Sequence, residues 1–193
     1  MLDAVRVFIG CRIGPPLSDF LNEAKLDLKR RSATVPARWV HDNAYALIFF
    51  AMGEVEPYRM LDIERAIQPV CRQFPPLQLS LGGWIGLPST VSLRQVGVSI
   101  AGDVGRLTGL QEGLRAACVP FMHVTERPVP PHIPLAMLRS ESPEAKTTMG
   151  LALRHVKREF GQPFTLSAVE VLRTAADENM AAQYEALKTV SLG

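Results

Sequence analysis

Few features of this sequence place it quickly. It has three cysteines, Cys11, Cys71 and Cys118, odd in number and widely scattered. They supply neither a disulfide framework nor paired zinc ligands, and they suit a reducing cytoplasm. Long apolar runs are absent. The longest, Ala44 to Met52, is nine residues, whereas a bilayer span needs about 20. The opening stretch, Met1 to Arg6, lacks the basic lead and apolar core of a secretory leader. The expectation is therefore a cytoplasmic protein with no membrane partner. A strong excess of either charge is also missing: 21 Lys and Arg against 19 Asp and Glu leave +2, too little to argue for nucleic acid by itself. Gly82-Gly83 lacks the Lys-Ser/Thr of a phosphate-binding loop, and no Ser-His-Asp signature is visible.

What remains is the composition of a folded domain: 193 residues, 47% hydrophobic and 21% charged. Arg6 to Arg12 is short, apolar and β-prone, a first strand broken by Gly14-Pro15-Pro16. Leu17, Phe20, Leu21, Ala24 and Leu28 recur at helical spacing, with Lys25, Lys29, Arg30 and Arg31 on the far face. Those cations are either a solvated helix end or a patch for RNA phosphate. Ala44 to Met52 reads as a strand buried on both faces. Pro57 to Phe74 reads as a helix that Pro69 kinks or shortens. Strands follow at Leu77–Leu81 and Val96–Ile100, then a helix marked by Leu107, Leu110, Leu114 and Cys118. Pro131 to Leu138 is the next strand. Ser142-Pro143-Glu144 starts a helix that Gly161 can end. Phe164 to Leu172 is a long strand, and Tyr184 to Leu192 adds an edge. The order is β-α-β-α-β twice over, which predicts one α+β domain across residues 1–193 made of two ferredoxin-like lobes.

Two segments carry chemistry. The first is Arg38-Trp39-Val40-His41-Asp42-Asn43-Ala44-Tyr45-Ala46-Leu47-Ile48-Phe49-Phe50-Ala51-Met52-Gly53-Glu54-Val55. The second is Arg127-Pro128-Val129-Pro130-Pro131-His132-Ile133-Pro134-Leu135-Ala136. Together with the Arg6-Val7-Phe8-Ile9 opening they resemble the two-histidine phosphoesterases, in particular the bacterial RNA 2′,3′-cyclic phosphodiesterases, also called 2′-5′ RNA ligases. The resemblance spans nearly the whole chain. It implies two lobes related by a pseudo-two-fold axis, with antiparallel sheets facing a central cleft. It also implies RNA or a nucleotide with a terminal or cyclic phosphate as partner, and no metal or other cofactor. In that family each motif is His-x-Thr on a strand, so both side chains of a pair face the cleft. One imidazole acts as acid and the other as base, while the threonines and a nearby cation stabilise the phosphorus centre.

The resemblance fails at those positions. The first histidine falls on Ala46 and its threonine on Ile48; a basic residue two further on falls on Phe50. In the second motif His132 remains, the threonine is Pro134, and the arginine after Leu-Ala is Met137. Alanine, isoleucine and proline can neither transfer a proton nor donate a side-chain hydrogen bond. His132 is the one surviving catalytic candidate. Arg38, Arg127 and Arg139 are candidates for an anion clamp, because a guanidinium binds phosphate as a fork. His41, His123 and His155 are the only other imidazoles, and none has the spacing of a zinc site. Tyr45 is expected to point away from the cleft, and Trp39 and Trp84 either stack on bases or pack in the core. Three readings follow: an impaired or inactive member that binds RNA or a nucleotide; an active phosphodiesterase using His132 with another partner; or a binder of an apolar ligand or protein segment, floored by Ala46, Ile48, Phe50 and Pro134.

Overall fold

The apolar run at Ala44–Met52 becomes the strand at the centre of the molecule. A computed structural model describes residues 4–42, 44–89, 92–122, 129–176 and 182–193. Its strands are β1 (Val5–Arg12), β2 (Ala37–Trp39), β3 (Ala46–Val55), β4 (Leu77–Leu87), β5 (Gln95–Gly102), β6 (His132–Leu138), β7 (Pro163–Leu166), β8 (Ala168–Ala176) and β9 (Ala182–Ser191). Its helices are α1 (Leu17–Arg31), α2 (Met60–Cys71), α3 (Val104–Cys118) and α4 (Pro143–His155).

Each helix forms because its apolar positions share one face. α1 buries Leu17, Leu21, Ala24 and Leu28 and ends on Lys29, Arg30 and Arg31, where the helix dipole favours cations. α2 buries Met60, Ile63, Ile67 and Cys71; Pro69 lies in its last turn, and the helix stops at Cys71 rather than Phe74. α4 starts with Pro143 after Ser142, but it ends at His155, well before Gly161. The reason lies at Val156. It leaves the helix with a ψ of 96° and is buried, and its carbonyl accepts the indole N–H of Trp84 at 3.1 Å.

The strands form one sheet in the order β7-β4-β5-β6-β3-β1-β8-β9, with β2 on β6. Each of these pairings is antiparallel. The first lobe is β3-β1-β8-β9 and the second is β6-β5-β4-β7. The two lobes meet at a single pair, Ile48 opposite His132. This order differs from two contiguous halves. β4 follows the first half's helices yet pairs with β5 and β7, while β8 closes the first lobe against β1. The expected strand Phe164–Leu172 is really two: it breaks at Ser167 and sends β7 to one lobe and β8 to the other. The last strand of each half thus lies in the other half's sheet.

The helices cover one face of the sheet in two pairs, α2 with α3 and α1 with α4. Under them lies one large core that includes Val7, Ile9, Leu47, Phe49, Ile63, Leu110, Ile133 and Val171. A smaller core of Leu28, Val96, Met149 and Leu153 joins α1 and α4 to β5. The opposite face of the sheet carries no helix among the described residues and holds the motif positions.

Candidate functional site

Register decides which side chains share the open face. Residues directly opposite each other on antiparallel strands project to the same side. Across the sheet, Glu170 pairs with Gly10, Gly10 with Ile48, Ile48 with His132, and His132 with Ser99. Alternation along each strand adds Ala46 and Arg12, a pair themselves, and Pro134 opposite Gly97. Ala46, Ile48, His132 and Pro134 therefore stand on one face at the junction of the lobes. Ala46 and His132 are buried, at 1% and 4% exposure; Ile48 and Pro134 are half-buried.

The two motif strands share a local design. In β1 and β5 a glycine, Gly10 or Gly97, faces the third motif position. A Cβ on Gly10 would lie 2.4 Å from the Leu47 carbonyl oxygen, and one on Gly97 would lie 2.4 Å from that of Ile133. Leu47 and Ile133 are the middle residues of the two motifs. Only glycine allows that approach. One residue later each motif strand bulges, leaving Phe49 and Leu135 without a cross-strand partner. The bulge reverses which way the next residues face. Phe50 pairs with the core residue Ile9 and lies under the guanidinium of Arg115, 5.1 Å from its ring centre. Phe50 is thus part of the helix-side core and not of the cleft floor, contrary to the expectation from strict alternation.

His132 is held in one tautomer. Its Nδ1 lies 2.8 Å from the Pro130 carbonyl; a carbonyl only accepts, so Nδ1 carries the hydrogen. Nε2 is then the lone-pair nitrogen, buried and without a hydrogen-bond partner among the described residues. Burial lowers the imidazole's pKa below 6.5, and the bond to Pro130 only partly opposes this. His132 is a neutral imidazole with a free acceptor. Ser99, opposite it, donates its hydroxyl to the Gly83 carbonyl at 3.1 Å.

Other expected residues fall as follows. Arg38 lies on β2 opposite Met137, which is exposed on the open face. Burial pushes the Tyr184 hydroxyl's pKa up, against the opposing pull of Arg6 and Arg38. Phe8 meets Tyr184 edge to face at 5.6 Å, with Arg6 over Phe8 at 5.4 Å. Arg139 is exposed just beyond β6, its N–H on the Pro36 carbonyl. Arg127 and His123 lie outside the described residues. Tyr45 points away from the cleft and donates to Asn22 Oδ1 at 2.8 Å. Trp39 packs in the smaller core and Trp84 against Phe160 at 5.2 Å, so neither is presented to a base. His41 and His155 are exposed. Burial raises the thiols of Cys11 to about 12, Cys71 to about 11 and Cys118 to about 12, which disfavours thiolate chemistry.

The sequence reading missed a pair beside Ala46. Arg12 grips Glu170 through Nη2 at 2.8 Å and Nε at 3.1 Å, and its backbone N–H donates to the same carboxylate at 2.8 Å. Nothing in linear order joins residues so far apart, although a charge closing an apolar strand was a signal. Cavities of about 460 and 400 Å³ lie at the ends of α1 and α4, lined by residues such as Arg30, Arg31, Lys157 and His155; neither includes a motif-strand residue. Among the described residues no group of three His, Cys, Asp or Glu could hold a metal, and no helix is long and apolar enough to cross a membrane.

No family model and no curated protein matches the chain by sequence. Solved structures match it in fold. TT0787 of Thermus thermophilus superposes with a TM-score of 0.74 at 19% identity, covering 97% of both chains. E. coli LigT complexed with 3′-AMP gives 0.70 at 15% identity over 98% of both chains. Usb1 of Kluyveromyces marxianus gives 0.56 at 11% over 98% of both. LigT has also been solved with ATP and with NADP+. The likeness runs end to end, and the chain has the two-lobed fold of the two-histidine phosphoesterases.

Proposed function

We propose that this protein is a catalytically impaired or inactive two-histidine phosphoesterase-like protein that binds RNA or a nucleotide through phosphate in the cleft between its lobes. One observation carries the reading. At the four positions where the fold converges acid, base and two hydroxyls, this chain has Ala46, Ile48, Pro134 and a single imidazole, His132. An acid–base group contributes about 10²–10⁴ to a rate, so losing one histidine and both hydroxyls leaves little of the two-histidine reaction. Binding is the function that such a face can retain. Arg6, Arg12 and Arg38 stand around it, Arg139 adds charge nearby, and LigT, which shares the fold, has been solved with 3′-AMP and with ATP. Titration calorimetry with 3′-AMP and ATP tests the reading. Saturable binding that weakens with salt is expected, with no nucleotide consumed; no binding of either would overturn it.

A second reading rests on the free Nε2 of His132. A neutral imidazole whose lone pair has no partner can act as a lone general base. It predicts slow cyclic-phosphate hydrolysis that disappears in His132→Ala.

A further inference from the structure

We infer that Arg12, oriented by Glu170, is the principal anion-binding residue of the cleft in this chain. The inference rests on the nucleotide-binding reading above and names the group that would hold the phosphate.

Position comes first. Arg12 lies directly opposite Ala46 on the open face, and Ala46 is where the fold would carry its first histidine. An alanine leaves no long side chain beside Arg12. His132 is two strands away and two residues along; at about 4.8 Å per strand and 3.4 Å per residue their Cα atoms stand roughly 12 Å apart. His132 is not a second ligand for an anion on Arg12, since its Nδ1–H is on the Pro130 carbonyl and its Nε2 is a buried acceptor.

Orientation comes second. Glu170 is buried at 8% exposure, whereas the Arg12 side chain is 49% exposed. The carboxylate accepts Nε and Nη2 of the guanidinium and the backbone N–H of the same residue. A buried carboxylate saturated in this way clamps one edge of a planar cation. Nη1 makes no ion pair or hydrogen bond with the described residues, so the guanidinium's other edge is open to a ligand. Of its five donors, those not spent on Glu170 are held in a preset plane by that grip. The other cations of this face are less constrained: Arg6 lies on the Phe8 ring and Arg38 is exposed.

The experiment measures the Kd of 3′-AMP in the full-length protein by calorimetry. Arg12→Gln is expected to raise it about 10- to 100-fold, the value of a charged hydrogen bond. Because that change strands a buried carboxylate, Arg12→Gln/Glu170→Gln is measured as well and is expected to lose the same affinity while unfolding cooperatively. Glu170→Gln alone separates orientation from simple charge. Coulomb's law says that deleting a negative charge tightens anion binding; an orienting role says that it weakens. Affinity unchanged in both Arg12 variants, with His132→Ala or Arg38→Gln weakened instead, would overturn the inference and leave the nucleotide-binding reading standing. Tighter binding in Glu170→Gln would overturn the orienting role. Absence of 3′-AMP binding in the parent would overturn the inference, and absence of ATP binding as well would overturn the nucleotide-binding reading with it.

Discussion

The strands that meet at the cleft, β3 and β6, share a backbone and differ in chemistry. Each faces a glycine at its third motif position, each lets that glycine press on the carbonyl before it, and each bulges at the next residue. Each buries its first motif position and half-exposes its third. The side chains break the symmetry, with Ala46 and Ile48 on one strand and His132 and Pro134 on the other. The backbone around the motif positions is thus shaped by glycines and bulges, independently of the side chains that stand there. A fold can keep the geometry of a reaction without the residues that perform it.

That separation can be tested by restoring the groups. Ala46→His/Ile48→Thr/Pro134→Thr returns two hydroxyls and an imidazole to an intact frame. It is expected to give hydrolysis of 2′,3′-cyclic nucleotides above the parent by at least the ~10²–10⁴ of one acid–base group. Ala46 is buried, so cooperative unfolding of the variant is checked beside its activity. A folded variant with no gain would mean that the frame is not competent. The glycines carry the next largest effect. Gly10→Ala and Gly97→Ala each force a Cβ to 2.4 Å from a backbone oxygen, and each is expected to cost about 2–3 kcal/mol in urea unfolding. Unequal costs would break the equivalence of the lobes.

The sequence made the fold legible through the residues around each motif, because Trp39-to-Gly53 and Arg127-to-Ala136 frame the strands whatever stands at the reactive positions. The exchange of β4 and β8 between lobes was not legible, since a strand's own pattern says which face is buried but not which neighbour it pairs with. Phe50 was misplaced for a related reason: strict alternation holds only until a bulge, and the bulge at Phe49 arises from pairing with β1 rather than from the residue itself. Gly10 and Gly97, glycines inside apolar strands, were the readable signal of close approach. Arg12 and Glu170 come together only in the folded sheet.

His132 also contributes to acid sensitivity. Its folded pKa lies below the unfolded value, so between the two the unfolded chain binds more protons and stability rises with pH. The parent's Tm is expected to fall as pH drops below about 6.5, and His132→Gln to flatten that slope; an identical slope in the variant would place the acid sensitivity elsewhere. The smallest effects belong to the outer layers. Arg158 bonds Asp27 at 2.7 Å and Glu23 at 2.5 Å and covers the Phe20 ring at 4.4 Å, so Arg158→Ala is expected to cost about 1 kcal/mol. Lys188, paired with Glu64 at 2.9 Å between β9 and α2, is expected to cost about 0.5 kcal/mol as Lys188→Ala. Reversal of that order in urea unfolding would mean that the Arg158 contacts contribute less than a single half-buried ion pair.

The central proposal is that this chain keeps the fold of the two-histidine phosphoesterases without performing their reaction. The most direct test is hydrolysis of a 2′,3′-cyclic nucleotide and of RNA ending in a cyclic phosphate, with the parent beside His132→Ala. The account predicts that parent and variant coincide at background. Turnover by the parent that vanishes in His132→Ala would contradict it and make His132 the base of a one-histidine enzyme.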